Sequence, residues 1–185
     1  MRLFEAIGWR VAVIERSLRL AAGLPDIQWM RVVMHRETSR FVSKLPLSEM
    51  SALEVSGKHW QNTPFRSYLS LDYPAFDICG EPHPAGFDIV IAEQVLEHVL
   101  SPRRAIENVY QMLNPGGIFI VNTPFLVRIH DHPIDCTRWS ERGLRQLLYE
   151  CRSSEIETGS WGNRRCARAN FRSWVPYRPW HSLKK

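Results

Sequence analysis

Four short apolar runs constrain most strongly what this chain can fold into. They occupy residues 52–55, 67–71, 87–92 and 118–121. Continuous apolar runs are typical of parallel strands that are buried on both faces, because a strand with one wet face alternates instead. Between the last two runs, Ile106, Val109, Tyr110 and Leu113 recur at helical spacing. The pattern therefore predicts an α/β fold, with a mostly parallel sheet and helices on both of its faces.

Two flanking segments differ from this central region. Apolar residues at spacings of three and four predict a helix over residues 3–20, and a second helix is expected over about residues 26–42. The first helix either packs on its own domain or contacts a membrane surface or a partner. We expect an N-terminal helical extension at 1–44, an α/β core at 45–162 and a basic aromatic tail at 163–185.

The formal charge of +5 suggests nucleic-acid binding, but its distribution limits that interpretation. Residues 45–135 carry an excess of acidic side chains, whereas both flanks are basic. An acidic region repels phosphates, so nucleic acid is not expected as a partner of the core. Arginines interleaved with aromatic residues in the tail leave contact with RNA open as an alternative, beside simple packing on the domain.

The four cysteines and the apolar content bear on the compartment. The cysteines form no Cys-x-x-Cys pair, and no apolar run reaches the roughly 18–20 residues that cross a bilayer. The first residues lack the uninterrupted apolar segment of a secretory signal. We therefore expect reduced thiols and a cytoplasmic protein.

Polar residues follow each predicted strand, at the edge where open α/β sheets bind ligands. Gly57 follows the first strand and allows the backbone to approach a ligand closely. Asp72 follows the second and is placed to accept hydrogen bonds from a ribose, while Asp77 could accept from an adenine amino group. Each signal is weak alone, and it is their order along the chain that indicates a nucleoside-containing ligand.

This ordered series resembles the class I methyltransferases that use S-adenosyl-L-methionine. The resemblance spans about residues 50–160, and its most specific parts are Val95-Leu-Glu-His98 and Leu113-Asn-Pro-Gly-Gly117. It implies a Rossmann-like fold, S-adenosyl-L-methionine as cofactor and an enzyme that transfers methyl groups. The cofactor-binding residues that it implies are Glu54, Ser56, Gly57, Asp72, Tyr73, Asp77, Ile78, Glu93 and Gln94.

The resemblance also implies a part for each group of residues. Residues 54–57 would border the methionine part of the cofactor, and Asp72 would bind the ribose hydroxyls. Asp77 and Ile78 would meet the adenine, and Glu93 and Gln94 would line the methyl end.

The chain departs from the family pattern after the first strand. Ser56 and Lys58 stand where glycines are common, and the stretch from Glu54 to Asp72 is short, with Pro64 inside it. We expect the first crossover helix to be brief or irregular. The missing glycines also argue against a nicotinamide-binding domain.

The segment after the fourth strand contains the candidate catalytic residues. An oxygen nucleophile benefits from a base whose pKa is near neutrality, which favours His98, His130 and His132, with Asp135 to orient one of them. The predicted catalytic set is His98, His130 and Asp135. A metal site of His130, His132 and Asp135 is conceivable, but no metal is predicted. Arg138 pairs either with Asp135 or with a substrate anion.

These observations lead to one function hypothesis and two alternatives. The leading hypothesis is a methyltransferase that acts on oxygen in a small molecule or in a glycan- or lipid-linked precursor. The alternatives are a non-catalytic binding or scaffolding module of the same fold and an RNA-directed methyltransferase. The family's sheet usually ends in an antiparallel pair. Residues 155–158 could supply one member, and no sequence in the tail suggests the other. We therefore expect the last antiparallel strand to be missing and the sheet edge to be exposed or unusually covered.

Overall fold

The computed structural model describes residues 18, 21, 29–127, 129–130, 133–151 and 153–170. Four helices lie in these ranges: α1 (Trp29–Val42), α2 (Pro102–Met112), α3 (Glu141–Glu150) and α4 (Arg164–Asn170). Four strands form the sheet: β1 (Ser51–Val55), β2 (Ser67–Leu71), β3 (Phe87–Glu93) and β4 (Leu113–Asn122). Short 3-10 turns occupy Leu47–Glu49 and Leu96–His98. Most of the predicted helix over 3–20 lies outside the described residues, as does the tail from residue 171.

The sheet has the strand order β2-β1-β3-β4, and every neighbouring pair is parallel. All five residues of β1 are buried, because this strand has a neighbour on each side and a packed layer on each face. The prediction of a mostly parallel α/β sheet is therefore confirmed. No helix is present between β1 and β2, which confirms the expected irregular first crossover.

Alternate residues of the central strands pack into two different apolar clusters. Leu53 of β1 and Val90 of β3 join the apolar side of α2 in one cluster, to which Leu148 of α3 also belongs. Ala52 and Ile91 point the other way and pack with Val42, the last residue of α1. Because a strand's side chains alternate between faces, helices cover both sides of the sheet. This double covering explains why the strands are continuous apolar runs.

The late strand predicted over residues 155–158 is wrong. The segment is irregular because its backbone binds α3 instead of a neighbouring strand. The carbonyl of Ile156 accepts hydrogen bonds from both terminal nitrogens of Arg145, at 2.9 and 2.7 Å. Thr158 donates to Glu141 at the start of the same helix. The four-stranded sheet of the described residues has β4 at one edge, and none of the ten residues of β4 is fully buried.

Two compact units divide the described chain. One comprises Arg36–Ser160 and holds the sheet. The other is built from described residues of 1–35 and 161–170. In it, Trp29 and Val33 pack against Cys166, and the Trp29 indole donates a 2.9 Å hydrogen bond to Asn170. No helix in the described ranges combines the length and the apolar character that a membrane span requires.

Candidate active site

The sheet reverses its direction of growth between β1 and β3. A crevice for ligands opens at such a point, beyond the carboxyl ends of the two strands. The residues that leave these strands, Ser56 and Gln94, both have left-handed backbone, with φ of 59° and 60°. Non-glycine residues adopt this conformation at a cost, and such strain concentrates at functional sites. Ser56 thus takes, without being glycine, the backbone conformation that favours glycine.

Glu54 is a buried carboxylate near the end of β1, and its hydrogen bonds are to other groups of the same chain. Its Oε1 accepts the backbone N–H of His59 at 2.9 Å, and its Oε2 accepts the N–H of Trp60 at 3.0 Å and the hydroxyl of Tyr68 at 2.6 Å. Burial and the bonded carboxylate raise the pKa of Tyr68 far above its ordinary value. Glu54 therefore fixes the loop of residues 56–60 from beneath.

Gly57 lies against this carboxylate. A Cβ at position 57 would stand 2.5 Å from Oε1 of Glu54, so a side chain there would displace the glutamate. The Gly57 carbonyl accepts a hydrogen bond from Ser70 of β2, at 2.5 Å. The loop is thus anchored both to β1 and to β2, while Ser56 is exposed and Gly57 half-buried.

Asp72 and Tyr73 follow β2 and are exposed. The carboxylate of Asp72 has no hydrogen-bond partner among the described residues, so it is available to accept from ligand hydroxyls. Asp77 is also exposed, but its Oδ1 already accepts the backbone N–H of Cys79 at 2.8 Å. Ile78 is buried in the cluster that contains Leu53. Of the two aspartates, Asp72 has the more open carboxylate.

Glu93 ends β3, and its side chain is held by three neutral donors. Thr38 of α1 and Asn122 at the end of β4 donate to Oε1, at 2.7 and 3.1 Å, and the Trp60 indole donates to Oε2 at 3.2 Å. Burial raises the pKa of Glu93, against the opposing effect of these hydrogen bonds. The adjacent Gln94 is half-buried and donates its backbone N–H to the carbonyl of Asn122.

Immediately beyond Gln94, the turn Leu96–His98 places a carboxylate beside an imidazole. The Glu97 side chain is fully buried, and its Oε1 lies 3.8 Å from Nε2 of His98. The other ring nitrogen of His98, Nδ1, faces the carbonyl of Ile134 at 2.5 Å. A carbonyl only accepts, so Nδ1 carries the proton and Nε2 of a neutral ring keeps its lone pair.

The segment after β4 brings a second imidazole to the same place. The rings of His98 and His130 meet edge to face, with centroids 4.9 Å apart. Asp135 accepts the backbone N–H of His130 at 2.8 Å and lies 3.3 Å from its Nδ1. Arg138 binds both carboxylate oxygens of Asp135, which lowers the pKa of Asp135 to about 2. Of the two partners considered for Arg138, the structure shows Asp135.

The predicted site residues thus form two groups, both at the end of the sheet where the strands have their carboxyl termini. Positions 54–57, 72–73 and 93–94 lie at the carboxyl ends of β1, β2 and β3, and His98, His130 and Asp135 form a cluster after β3 and β4. His132, considered as a base and as a metal ligand, lies outside the described residues. No role is predicted from sequence for Glu97, although its position beside His98 is a usable signal. The contacts of Tyr68 and Thr38 have no local sequence pattern that could reveal them.

The S-adenosyl-L-methionine that the resemblance implies fits this edge. Asp72 offers an open carboxylate for the ribose, and the exposed turn at Ser56 lets backbone approach a ligand. The observed role of Glu54 differs from the expected one, because its oxygens hold the loop that would border the methionine. These residues are compatible with the cofactor, and the three hydrogen bonds of Glu54 engage its oxygens within the protein.

Comparisons with known proteins bear on the family to which this chain belongs. A protein-family model described as a methyltransferase domain matches residues 1–171. A ubiquinone biosynthesis O-methyltransferase of Azoarcus sp. is 36% identical over 84 residues, which cover 44% of this chain and 34% of that protein. The enzyme of the same name from Coxiella burnetii is 29% identical over 133 residues, covering 58% of this chain and 55% of that protein. The chain thus spans about a third to about half the length of these curated relatives.

A solved structure supports the fold. The crystal structure of a proposed methyltransferase from Bacillus halodurans superposes with a TM-score of 0.50 at 15% identity, covering 61% of this chain and 64% of that one. With the family model spanning most of the sequence, this chain belongs to the methyltransferase-domain family.

Proposed function

We propose that this protein transfers the methyl group of S-adenosyl-L-methionine to an oxygen atom of a small molecule or of a glycan- or lipid-linked precursor. The observation that carries the proposal is that the exposed carboxylate of Asp72 and the exposed turn at Ser56 lie at the same end of the sheet as the largely buried imidazoles of His98 and His130. The names of the two curated relatives, both O-methyltransferases, support oxygen as the acceptor atom. The four cysteines are free thiols, which supports a reducing compartment such as the cytoplasm.

The crevice residues would hold and orient the cofactor, which supplies an electrophilic methyl group when bound. Asp72 would accept hydrogen bonds from the ribose hydroxyls, while Asp77 and Ile78 would border the adenine. The loop at Ser56 and Gly57 would border the methionine part. Glu93 and Gln94 would define the methyl end. The network around Glu93 fixes that end, because Thr38, Trp60 and Asn122 hold its carboxylate in one position.

The histidine cluster would make the acceptor oxygen nucleophilic. Nε2 of His98 carries the lone pair that can take a hydroxyl proton, and the carboxylate of Glu97, 3.8 Å away, would stabilise the resulting imidazolium. His130 packs on the edge of this ring and is oriented by Asp135, which is ionised at neutral pH. Methyl transfer needs little beyond such alignment and a deprotonated oxygen.

Calorimetric titration of the full chain with S-adenosyl-L-homocysteine tests the binding half of the proposal. We expect saturable binding that Asp72→Asn weakens by about tenfold or more, since hydrogen bonds to a charged group contribute about 1.5–3 kcal/mol. Glu81→Gln is the control, because Glu81 is exposed and lies outside the proposed crevice. Absence of binding at millimolar ligand would refute the proposal.

Transfer of a radiolabelled methyl group to a panel of phenols, sugars and lipid-linked precursors tests the reaction. His98→Gln should abolish turnover while leaving S-adenosyl-L-homocysteine binding intact. Cofactor binding without transfer to any acceptor would favour the non-catalytic alternative. Transfer to RNA, lost on removal of residues 163–185, would favour the RNA-directed one.

A further inference from the structure

We propose that Glu97, His98 and His130 form a binding site for a divalent metal ion of the zinc class. The ligand-capable atoms of these three residues lie within 4.8 Å of one another. Two imidazoles and one carboxylate are a donor set that binds Zn²⁺ and leaves a coordination position open. Whether the metal binds does not depend on the proposed function; only the catalytic role given to the ion rests on the proposed function.

The scaffold of this cluster is cross-linked by backbone hydrogen bonds. The carbonyl of Glu97 accepts the N–H of Cys136 at 2.7 Å and that of Thr137 at 3.4 Å. The hydroxyl of Thr137 donates to the carbonyl of Leu96 at 3.0 Å. These bonds join the turn that carries Glu97 and His98 to the segment that carries Asp135. The ligands are therefore held together although they come from distant parts of the sequence.

Each histidine has a partner of the kind that orients metal-binding imidazoles. In metal sites the second ring nitrogen of a histidine ligand usually faces a backbone carbonyl or a carboxylate. Nδ1 of His98 faces the carbonyl of Ile134, and Nδ1 of His130 lies 3.3 Å from the carboxylate of Asp135. For His98 this makes Nε2, which lies 3.8 Å from Oε1 of Glu97, the nitrogen that faces the proposed ion. Both imidazole side chains are largely buried, at 15% and 12% exposure, which limits competition from water.

The donor atoms of the described residues suit a cation. The described residues of the cluster include two carboxylates, Glu97 and Asp135, and one guanidinium, Arg138, which is bound to Asp135. With neutral imidazoles the formal charge is negative. Nitrogen donors distinguish the site from those of Mg²⁺ and Ca²⁺, which prefer oxygen ligands. Zn²⁺ and its neighbours Co²⁺ and Ni²⁺ suit the set.

Under the proposed function, the ion would activate the acceptor. A hydroxyl oxygen bound at the open position would release its proton to water at a lower pH, because the ion stabilises the anionic oxygen. With the ion bound, the two imidazoles would act as ligands and the ion would activate the hydroxyl; in the metal-free chain, Nε2 of His98 would be the base, as proposed above. The acceptor class follows: a phenol, enol or other hydroxyl compound able to approach a buried ion.

Equilibrium dialysis of the chelator-treated full chain against Zn²⁺ tests the proposal. We expect one ion per chain at high affinity. His98→Gln and His130→Gln should each weaken binding about 100-fold or more, because loss of an outer-shell partner alone costs 10–100-fold. His83→Gln is the matched control, since His83 lies near the amino end of β3 and packs on Phe87. The affinity of the His83→Gln variant for Zn²⁺ should stay within threefold of that of the parent chain.

Cobalt substitution supplies a second readout. Co²⁺ in the site should give visible absorption bands typical of nitrogen and oxygen ligands, and both histidine variants should lose them. Zinc binding that both histidine variants leave unchanged, or absence of zinc binding to the parent chain, would overturn the proposal.

Calorimetry with S-adenosyl-L-homocysteine on the same preparation separates the two proposals. Cofactor binding without zinc binding would refute the metal site alone. Zinc binding without cofactor binding would refute the proposed function and leave the metal site standing.

Discussion

Replacing Glu54 with glutamine should destabilise the fold and loosen the loop that would border the cofactor. The carboxylate accepts three hydrogen bonds, from two backbone N–H groups and from Tyr68. Bonds to charged groups contribute about 1.5–3 kcal/mol each. Glutamine keeps one acceptor oxygen, but its amide nitrogen would face a backbone N–H. One bond is therefore lost outright and the others become neutral, which lowers the free energy of unfolding by about 3 kcal/mol.

Urea denaturation followed by circular dichroism at pH 7 measures this effect. Glu49→Gln is the control, because Glu49 is exposed on a 3-10 turn and its replacement should change stability by less than about 0.5 kcal/mol. The loss of stability caused by Tyr68→Phe should lie between those of the two glutamine variants, since it removes one donor and leaves both backbone hydrogen bonds. A Glu54→Gln variant as stable as the Glu49→Gln control would refute the assignment of Glu54 as the anchor of the loop.

Three further predictions concern the same edge of the sheet. Gly57→Ala should lower the thermal midpoint, because its Cβ would stand 2.5 Å from Glu54 Oε1; an unchanged midpoint would mean that the glutamate moves freely. Asp135 has a pKa of about 2 in the fold against an ordinary 3.8, so its stabilising contribution is present above pH 4 and is lost as the pH falls through 2. Urea midpoints between pH 2 and 5 should therefore fall less steeply for Asp135→Asn than for the parent, and parallel curves would contradict this. Thr38→Val should raise the pKa of Glu93 further, because Thr38 donates to the ionised form; NMR titration of the Glu93 carboxyl checks the direction, with Ser43→Ala as a remote control.

The strands were predictable because their burial leaves a local signature. Each predicted strand from 52–55 to 87–92 differs from the observed one by at most one residue at either end, since continuous apolar runs are what a doubly covered parallel sheet requires. β4 is longer than predicted because Leu113 already pairs with Phe87 of β3, and a register shift separates that pair from the regular pairing that begins at Ile118. Such an irregularity depends on the neighbouring strand and not on local sequence.

The error at residues 155–158 has a similar cause. Alternating Glu-Ile-Glu-Thr is a valid strand pattern, but Arg145 satisfies the carbonyl that a strand neighbour would need. The partners of the site residues were equally hidden. Tyr68 reaches Glu54 from the adjacent strand, and Thr38 reaches Glu93 from a helix 55 residues away. Sequence order predicts which residues lie at the carboxyl end of a parallel sheet. It does not predict which of them form hydrogen bonds with other residues there.

The central position of β1 has a consequence for how this chain is made. Its two neighbours are synthesised at different times, because β2 begins at residue 67 and β3 only at residue 87. Chains fold from the amino terminus as they leave the ribosome, and parallel strands must close a loop before pairing is rewarded. Until β3 emerges, one edge of β1 has no partner strand, although all five residues of β1 are buried in the fold. During the interval between synthesis of residues 55 and 87, β1 therefore presents an unpaired edge that is open to misassociation.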